Sequence, residues 1–264
     1  MTTRNPIITL MTDFGLRDHY VAAMKGVILG ICPSASIIDI THEVSSYEVA
    51  EAAYLLSQTW SYFPKKTVHV VVVDPGVGSM RRPILAEADG HRFIAPDNGV
   101  LTRVLTRESC KVRHISEERY FRKPVSHTFH GRDIFAPSAA HLASGVPTAK
   151  LGPRIGNYLR LTFERPNRTA RRGWTGAILH VDHFGNVVTN IALADFPHIE
   201  DQPFEITAGF RTIEKLAASY AEMPPGELCA IVGSSGFLEI SANQQSAAKI
   251  LGCEAGAPVE IRFL

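Results

Sequence analysis

An α/β fold is predicted: an N-terminal, sandwich-like α/β domain with a mostly parallel sheet, followed by a smaller all-β, barrel-like domain. Three observations predict it. Strand and helix patterns alternate through the first half of the 264-residue chain. Residues 67–73 form a near-continuous β-branched run, the pattern of a strand buried on both faces. Beyond about residue 152 the helical signal thins and short β-like runs take over.

Residues 7–12 read as the first strand, and Asp18 as the cap of a helix whose stripe is Val21, Met24, Val27, Ile28 and Ile31. Gly30 and Cys32-Pro33 close that helix. Residues 36–40 are the next strand. Ser45-x-x-Glu48 reads as a capping box for a helix carrying Val49, Ala52, Ala53 and Leu56. Residues 83–87 and 91–95 flank Asp89-Gly90 as a hairpin, 101–108 read as a short helix, and 134–144 as a helix with Pro137 in its first turn. The arginine- and proline-containing stretch 154–172 reads as a connection, which gives domains over 1–153 and 173–264. In the second domain, strands are expected at 176–181, 204–208, 228–232, 237–241 and 259–263.

The length suffices for a well-buried core, and 45% hydrophobic with 20% charged residues is ordinary globular composition. A formal charge of +1 lacks the basic excess of a nucleic-acid binder. No apolar run reaches the roughly 18 residues of a membrane helix. The N-terminus enters a strand pattern without a secretory h-region. Cys32, Cys110, Cys229 and Cys253 form no CxxC pair, so a cytoplasmic chain with reduced thiols is expected.

Three apolar runs end in polar bursts: ITLMTDFG (8–15), VVVVDPGVG (70–78) and RFIAPDNG (92–99); HTFHGRD (127–133) adds a fourth. Ligands of parallel α/β sheets bind beyond the carboxyl ends of the strands. Asp13, Asp74, Asp97, Asn98 and His130 are therefore expected to converge on one pocket. Asp13 is suited to a ribose diol, a metal or a helix N-terminus, and Asp18 takes the last role. Asp74 with Arg81 makes either a loop-tying ion pair or a carboxylate kept ionised in a cleft. His130 beside them is a candidate for handling a water. In the second half, Asp182, Phe184 and Asn186 offer acceptor, stacking and amide groups for a purine edge or an amino acid. Gly233-Ser234-Ser235-Gly236 can clasp a carboxylate or simply turn a hairpin. Walker, GxGxxG, HExxH, zinc and GxSxG elbow patterns are missing.

Taken in order, TDFG, DHYVAAMKG, DPGVG, APDNG, TFHGRDIFAP, DHFGNVVTN and GSSGFLEI resemble the S-adenosylmethionine (SAM) hydroxide adenosyltransferases, or SAM hydrolases, relatives of the SAM-dependent fluorinase and chlorinase. The resemblance implies a homotrimer that binds SAM between subunits and displaces methionine from C5′ with water, giving adenosine. By motif, it puts the water-activating set on Asp74, Arg81 and His130 and the ribose-holding carboxylate on Asp13. Contacts to methionine fall on Asp18, His19 and Tyr20, and those to the amino-acid end and its surroundings on Asp182 and Asn186. Ser234, Ser235, Ala242, Asn243 and Gln244 match the C-terminal contacts, adenine included; Asn98, Gly131 and Phe184 complete the expected site. No cofactor and no metal is implied. The halogenases of this family carry Tyr-Pro at Asp74-Pro75 and Tyr-Ser at His130-Gly131, and the fluorinases a long insertion near residues 86–93, so the resemblance favours hydrolysis. The competing readings are a SAM-dependent halogenase, a metal-dependent nucleoside hydrolase built on strand-end aspartates, and a non-catalytic nucleoside sensor.

Overall fold

In the computed structural model, residues 5–106, 110–163, 165–196, 199 and 202–264 are described. The chain divides into two compact units, one up to Leu161 and one from Thr162 to Leu264.

The first unit is built on seven strands: β1 (Ile7–Thr12), β2 (Ser36–Thr41), β3 (Val68–Val72), β4 (Pro83–Ala88), β5 (His91–Pro96), β6 (Lys111–His114) and β7 (Arg154–Ile155), in the order β2-β1-β3-β5-β4-β6-β7. Period-two alternation sorts their side chains onto two faces. Ile8, Leu10, Val68, Val70 and Val72 pack under helices α1 (Tyr20–Ile31) and α3 (Ala136–Ala143). Met11, Val71, Val73 and Phe93 pack against helix α2 (Val49–Thr59) and the turns around Val100–Leu105. Both faces are covered, which is why the strands read as apolar runs.

The expectation of a mostly parallel sheet is corrected. Three strand pairs are parallel (β1/β2, β1/β3, β3/β5) and three antiparallel (β4/β5, β4/β6, β6/β7). The Asp89-Gly90 hairpin, with both residues at positive φ, reverses the chain at β4, and the following edge strands add to it antiparallel. The caps are also corrected. The residue before α1 is His19, not Asp18, and it makes no side-chain cap bond. The Ser45–Glu48 box does not form; Glu51 reaches back to accept the Ser45 N–H instead. Of the helix expected over 101–108, residues 101–106 form successive turns, and 107–108 lie outside the described residues. A five-residue π-helical turn, Gly131–Phe135, precedes α3.

A polar thread runs through this core. Thr9 Oγ1 lies 2.8 Å from His69 Nδ1, and His69 Nε2 lies 3.2 Å from His91 Nδ1. Burial, and then His91, push the His69 imidazole down to about 3, so it sits in the core uncharged.

The second unit adds β8 (Asn167–Ala170), β9 (Gly173–Val181), β10 (Val187–Ala192), β11 (Phe204–Ala208), β12 (Arg211–Ile213), β13 (Leu216–Ala217), β14 (Leu228–Val232), β15 (Phe237–Ala242) and β16 (Pro258–Phe263), with one short helix, α4 (Ala247–Leu251). Their order is β12-β11-β16-β9-β10-β15-β14-β13, with β8 beside β9. The nine-residue β9 is the corner piece: residues 173–177 pair with β16, and residues from Ile178 on with β10. The curved path encloses a core of Ile178, Val187, Ile206, Leu238, Ile240 and Ile261. The stretch expected as a connection, 154–172, carries a strand at each end: β7 closes the first sheet, and β8 opens the second. Among the described residues, no helix is long and apolar enough to cross a membrane.

Candidate active site

β3, buried on both faces, carries the chain to Asp74. The turn that follows is self-bonded, with the Val77 N–H on the Asp74 carbonyl at 3.2 Å and the Ser79 N–H on the Gly76 carbonyl at 3.0 Å. Gly78 sits at φ +78°, and a Cβ there would lie 2.5 Å from the His127 carbonyl oxygen. A glycine is what lets this turn lie against the segment leading to His130.

Arg81 then folds back on both groups. Its Nε donates to Asp74 Oδ1 at 2.9 Å, and its Nη2 donates to Asp74 Oδ2 and, at 2.7 Å, to His130 Nδ1. The Arg81 and Asp74 side chains are only 8% and 5% exposed, and the guanidinium lies 5.3 Å from the Phe135 ring centre. A guanidinium has no acceptor, so His130 Nδ1 accepts and the neutral ring carries its proton on Nε2. Burial, then the Arg81 charge, pull the His130 imidazole below its ordinary value; Asp74 and Asp133 oppose this, and His127 adds to it.

The π-helical turn aims His130. Its Asp133 is fully buried and accepts from Arg132 Nε (2.7 Å), Arg132 Nη2 (2.8 Å), Arg122 Nη1 (3.2 Å) and the Ser126 N–H (2.9 Å). Burial would raise the Asp133 carboxyl, but the bonds from Arg132 and Ser126 outweigh it and hold the group below the usual range. Turns with one extra residue recur at functional positions because they re-aim side chains.

Asp13 follows β1 directly, and its Oδ2 accepts the Tyr47 N–H at 2.9 Å. Asp13, Asp74, His130 and Gly131 line one cavity of about 280 Å³. Phe14, Tyr20 and Phe129 form its aromatic side, with ring centres 5.2–6.1 Å apart. That volume is near the lower end of small-molecule sites, about 300–1,000 Å³. Carboxylates with aromatic faces suit a cationic, ring-bearing ligand. Arg81 does not line the cavity; it braces two groups that do. Among the described residues, no three His, Cys, Asp or Glu side chains cluster as metal ligands.

Of the residues expected in the first unit, Asp13, Tyr20, Asp74, Arg81, His130 and Gly131 are thus brought together. Asp18 and His19 are exposed and do not line the cavity. Asp97 and Asn98 are used elsewhere. Asp97 takes Arg82 Nε at 3.1 Å and the Leu159 N–H at 2.8 Å. Asn98 donates to the Val73 carbonyl at 2.8 Å and accepts the Val100 N–H at 3.1 Å. Both tie loops rather than line the cavity. Sequence reading missed Ser46, Tyr47, Val77 and Thr128 as lining residues. Only the aromatic residues inside TDFG and TFHG signalled the rest of the wall.

In the second unit, Asp182 follows β9 and organises a tight turn. Its Oδ1 accepts the Phe184 and Asn186 N–H groups at 2.9 and 2.8 Å, and its Oδ2 accepts Asn186 Nδ2 at 2.8 Å. Asn186 is buried by this, while Phe184 stands 76% exposed at the tip. The carboxyl of Glu239, on β15, is so close to Gly233 that a Cβ there would meet Oε1 at 1.8 Å. Burial, then the Asp182 charge, raise the Glu239 carboxyl above its ordinary value. Ser235 Oγ is buried without a partner among the described residues, and Ser234 is exposed. Ala242 is buried, Asn243 donates to the Met223 carbonyl at 2.6 Å, and Gln244 sits at φ +59°.

Comparison with known proteins adds the chemistry's context. Residues 8–152 match the SAM hydroxide adenosyltransferase N-terminal domain, and residues 176–260 its C-terminal domain. An (R)-S-adenosyl-L-methionine hydrolase of Salinispora arenicola is 37% identical over 97% of each chain. A fluorinase of Nocardia brasiliensis is 30% identical over 99% of each. A crystal structure of an uncharacterised conserved protein from Thermotoga maritima superposes with a TM-score of 0.89 at 40% identity, covering 97% of this chain and 99% of that one.

Proposed function

This chain belongs to the SAM hydroxide adenosyltransferase family, and from that premise we propose that it hydrolyses S-adenosyl-L-methionine at C5′, releasing adenosine and L-methionine. The observation that carries the reading is the Asp74–Arg81–His130 set beside a carboxylate- and aromatic-lined cavity. Relatives named as hydrolases are nearer in sequence than those named as fluorinases, at 33–37% against 25–30% identity. The Salinispora relative is named for the (R) sulfonium epimer. The same epimer is taken as the preferred substrate here.

A sulfonium leaves as a neutral thioether, so no acid is needed at sulfur. The water oxygen bonds to C5′ as the C5′–S bond breaks, and sulfur keeps the electron pair. The proton released by the attacking water passes to Asp74, whose ion pair with Arg81 keeps a base in a buried place. His130, neutral with its proton on Nε2, orients the nucleophile or the ribose oxygen by donation rather than serving as the base. Asp13 holds the ribose diol, with Tyr20 and Phe129 packed beside the ligand. Asp182 and Asn186 take the amino-acid end, with Phe184, Ser234, Ser235 and the 242–244 stretch making the remaining contacts, the adenine included. Holding water in line, about 3–3.5 Å from carbon, supplies much of the barrier lowering. The reaction runs without metal or cofactor, in the cytoplasm, in a homotrimer that binds substrate where subunits meet.

The test is product chromatography after incubating the full chain with each SAM epimer, with and without chelator and chloride. Adenosine and methionine in equal amounts, unaffected by chelator, are expected. A 5′-chloro product would favour the halogenase reading, and loss of turnover with chelator the metal-dependent one.

A further inference from the structure

The Asp13 loop is held from beneath by a relay that the reaction scheme does not use. Thr12 ends β1, and its Oγ1 accepts the Phe14 N–H at 3.2 Å, so the two residues flanking Asp13 are tied together. The same oxygen lies 2.9 Å from His42 Nδ1. His42 is 3% exposed, and its Nε2 lies 3.1 Å from Asp39 Oδ1, within ion-pair reach though bent from the N–H direction. Asp39 in turn accepts Lys25 Nζ, from α1, at 2.6 Å.

Thr12 Oγ1 thus sits between the Phe14 N–H and His42 Nδ1, and the His42 ring spans from Thr12 to Asp39. Groups linked in series in this way hold one another in place. Burial opposes ionisation of Asp39, yet the bonds from Lys25 and His42 hold its carboxyl below the ordinary range.

The backbone is shaped to make this contact. Between Leu10 and Met11 the β1/β2 register slips: Leu10 faces Asp39, but Met11 faces Thr41. A bulge of this kind re-aims the chain that follows it. Here it precedes His42, whose carbonyl also receives the Gly15 N–H at 2.7 Å. The loop from His42 onward supplies the Tyr47 N–H that holds Asp13 Oδ2. Asp13 is therefore pinned from its backbone by Thr12 and His42, and at its carboxylate by the same loop.

We propose that Asp39, His42 and Thr12 are positioning residues that fix the Asp13 carboxylate for recognition of the ligand's ribose diol. The proposal rests on the reading of Asp13 as the ribose-binding group. It is tested by calorimetric binding of adenosine and 2′-deoxyadenosine, because a merely structural role would weaken both alike. The wild-type chain is expected to prefer adenosine by about tenfold or more, the worth of a hydrogen bond to a charged group. Asp13→Asn should abolish the preference. Thr12→Val and His42→Ala should shrink it to about threefold or less, raising KM for SAM far more than they lower kcat, and Thr12→Ser should restore it. Should either buried variant fail to fold, Asp39→Asn, at a side chain 37% exposed, should still reduce the preference. A full preference in Thr12→Val, His42→Ala or Asp39→Asn, with Asp13→Asn lacking it, overturns the relay alone. No preference in the wild-type chain overturns the ribose reading of Asp13, and the relay with it.

Discussion

The two units each hold acidic groups beside their strands and treat them in opposite ways. In the first, Asp74 meets a guanidinium on both oxygens, and Arg81 extends the same hold to His130. In the second, Glu239 is raised by burial and by Asp182, and nothing basic enters that balance. Tyr220 feels the same surroundings: burial, Glu239 and Asp182 all raise its phenol. In the first site, Asp74 has its counter-charge before a ligand arrives. The second leaves negative charge uncompensated, which suits the proposed ammonium end of methionine. The difference separates chemistry from capture: a reacting base must be fixed in its charge state beforehand, whereas a docking carboxylate gains most when the cation comes with the ligand.

The largest effect that tests this contrast is on turnover. Asp74→Asn keeps the shape and much of the hydrogen bonding to Arg81 but removes the base. A fall in kcat of about 10³-fold is expected from steady-state adenosine release, within the range of general acid–base contributions. Turnover within threefold of wild type would remove Asp74 from the mechanism.

Stability sharpens the contrast next. Arg81→Leu strands the Asp74 carboxylate in a nearly closed place, and breaking one side of such a pair costs about 3–5 kcal/mol. Glu239→Gln removes a charge that has no ion-pair partner among the described residues. Its effect on unfolding free energy is expected to be under about 1 kcal/mol, and in the stabilising direction at pH 8. Denaturant melts of the two variants should therefore diverge; equal losses would mean that the two sites are not built differently.

The same groups give a pH signature of smaller size. The Glu239 carboxyl titrates higher folded than unfolded, so the folded chain binds more protons over that interval, and stability falls as pH rises through it. His130 is the reverse case: its folded value is lowered, so its contribution is present above about 6.5 and lost as pH falls below. Melting temperatures taken across pH 4–8 should show a decline above the ordinary glutamate value that Glu239→Gln abolishes. The acid limb of kcat/KM should lie below the ordinary histidine value; a limb above it would contradict the buried, Arg81-bonded imidazole.

The sequence carried the parts of this picture that rest on periodicity. Residues 7–12, 204–208 and 228–232 were readable as strands because hydrophobic alternation and β-branching act over several residues. β10 escaped because Thr189 and Asn190 look like loop residues, although both are buried in the sheet. The two-residue strands β7 and β13 are too short to leave a pattern. Caps failed because cap chemistry is local and was overridden: Glu51 outreached Glu48 for the Ser45 N–H. In the site, Asp74, Arg81 and His130 were legible as charged or titratable groups beside glycines at strand ends. The loss of Asp97 to a loop tie depended on Arg82 and the 157–161 segment, which no local signal links to it, and that of Asn98 on the Val73 carbonyl 25 residues earlier. The π-helical turn and the β1/β2 bulge are equally silent in sequence, since both are choices of register.

The smallest effect concerns Phe184. Its ring is 76% exposed at the tip of the Asp182–Asn186 turn, whose hydrogen bonds run through the Asp182 carboxylate and backbone N–H groups, not through the aromatic side chain. Phe184→Ala should therefore leave the unfolding free energy within about 0.5 kcal/mol of wild type, as surface substitutions do. If the ring packs against bound substrate, KM for SAM should rise by about 3- to 10-fold, the worth of one aromatic contact, with kcat little changed. Asp182→Asn, by contrast, disturbs the turn itself and should move both stability and KM. A Phe184→Ala enzyme with wild-type KM would confine the second unit's contribution to its polar groups, and the contrast drawn above would then rest on charge alone.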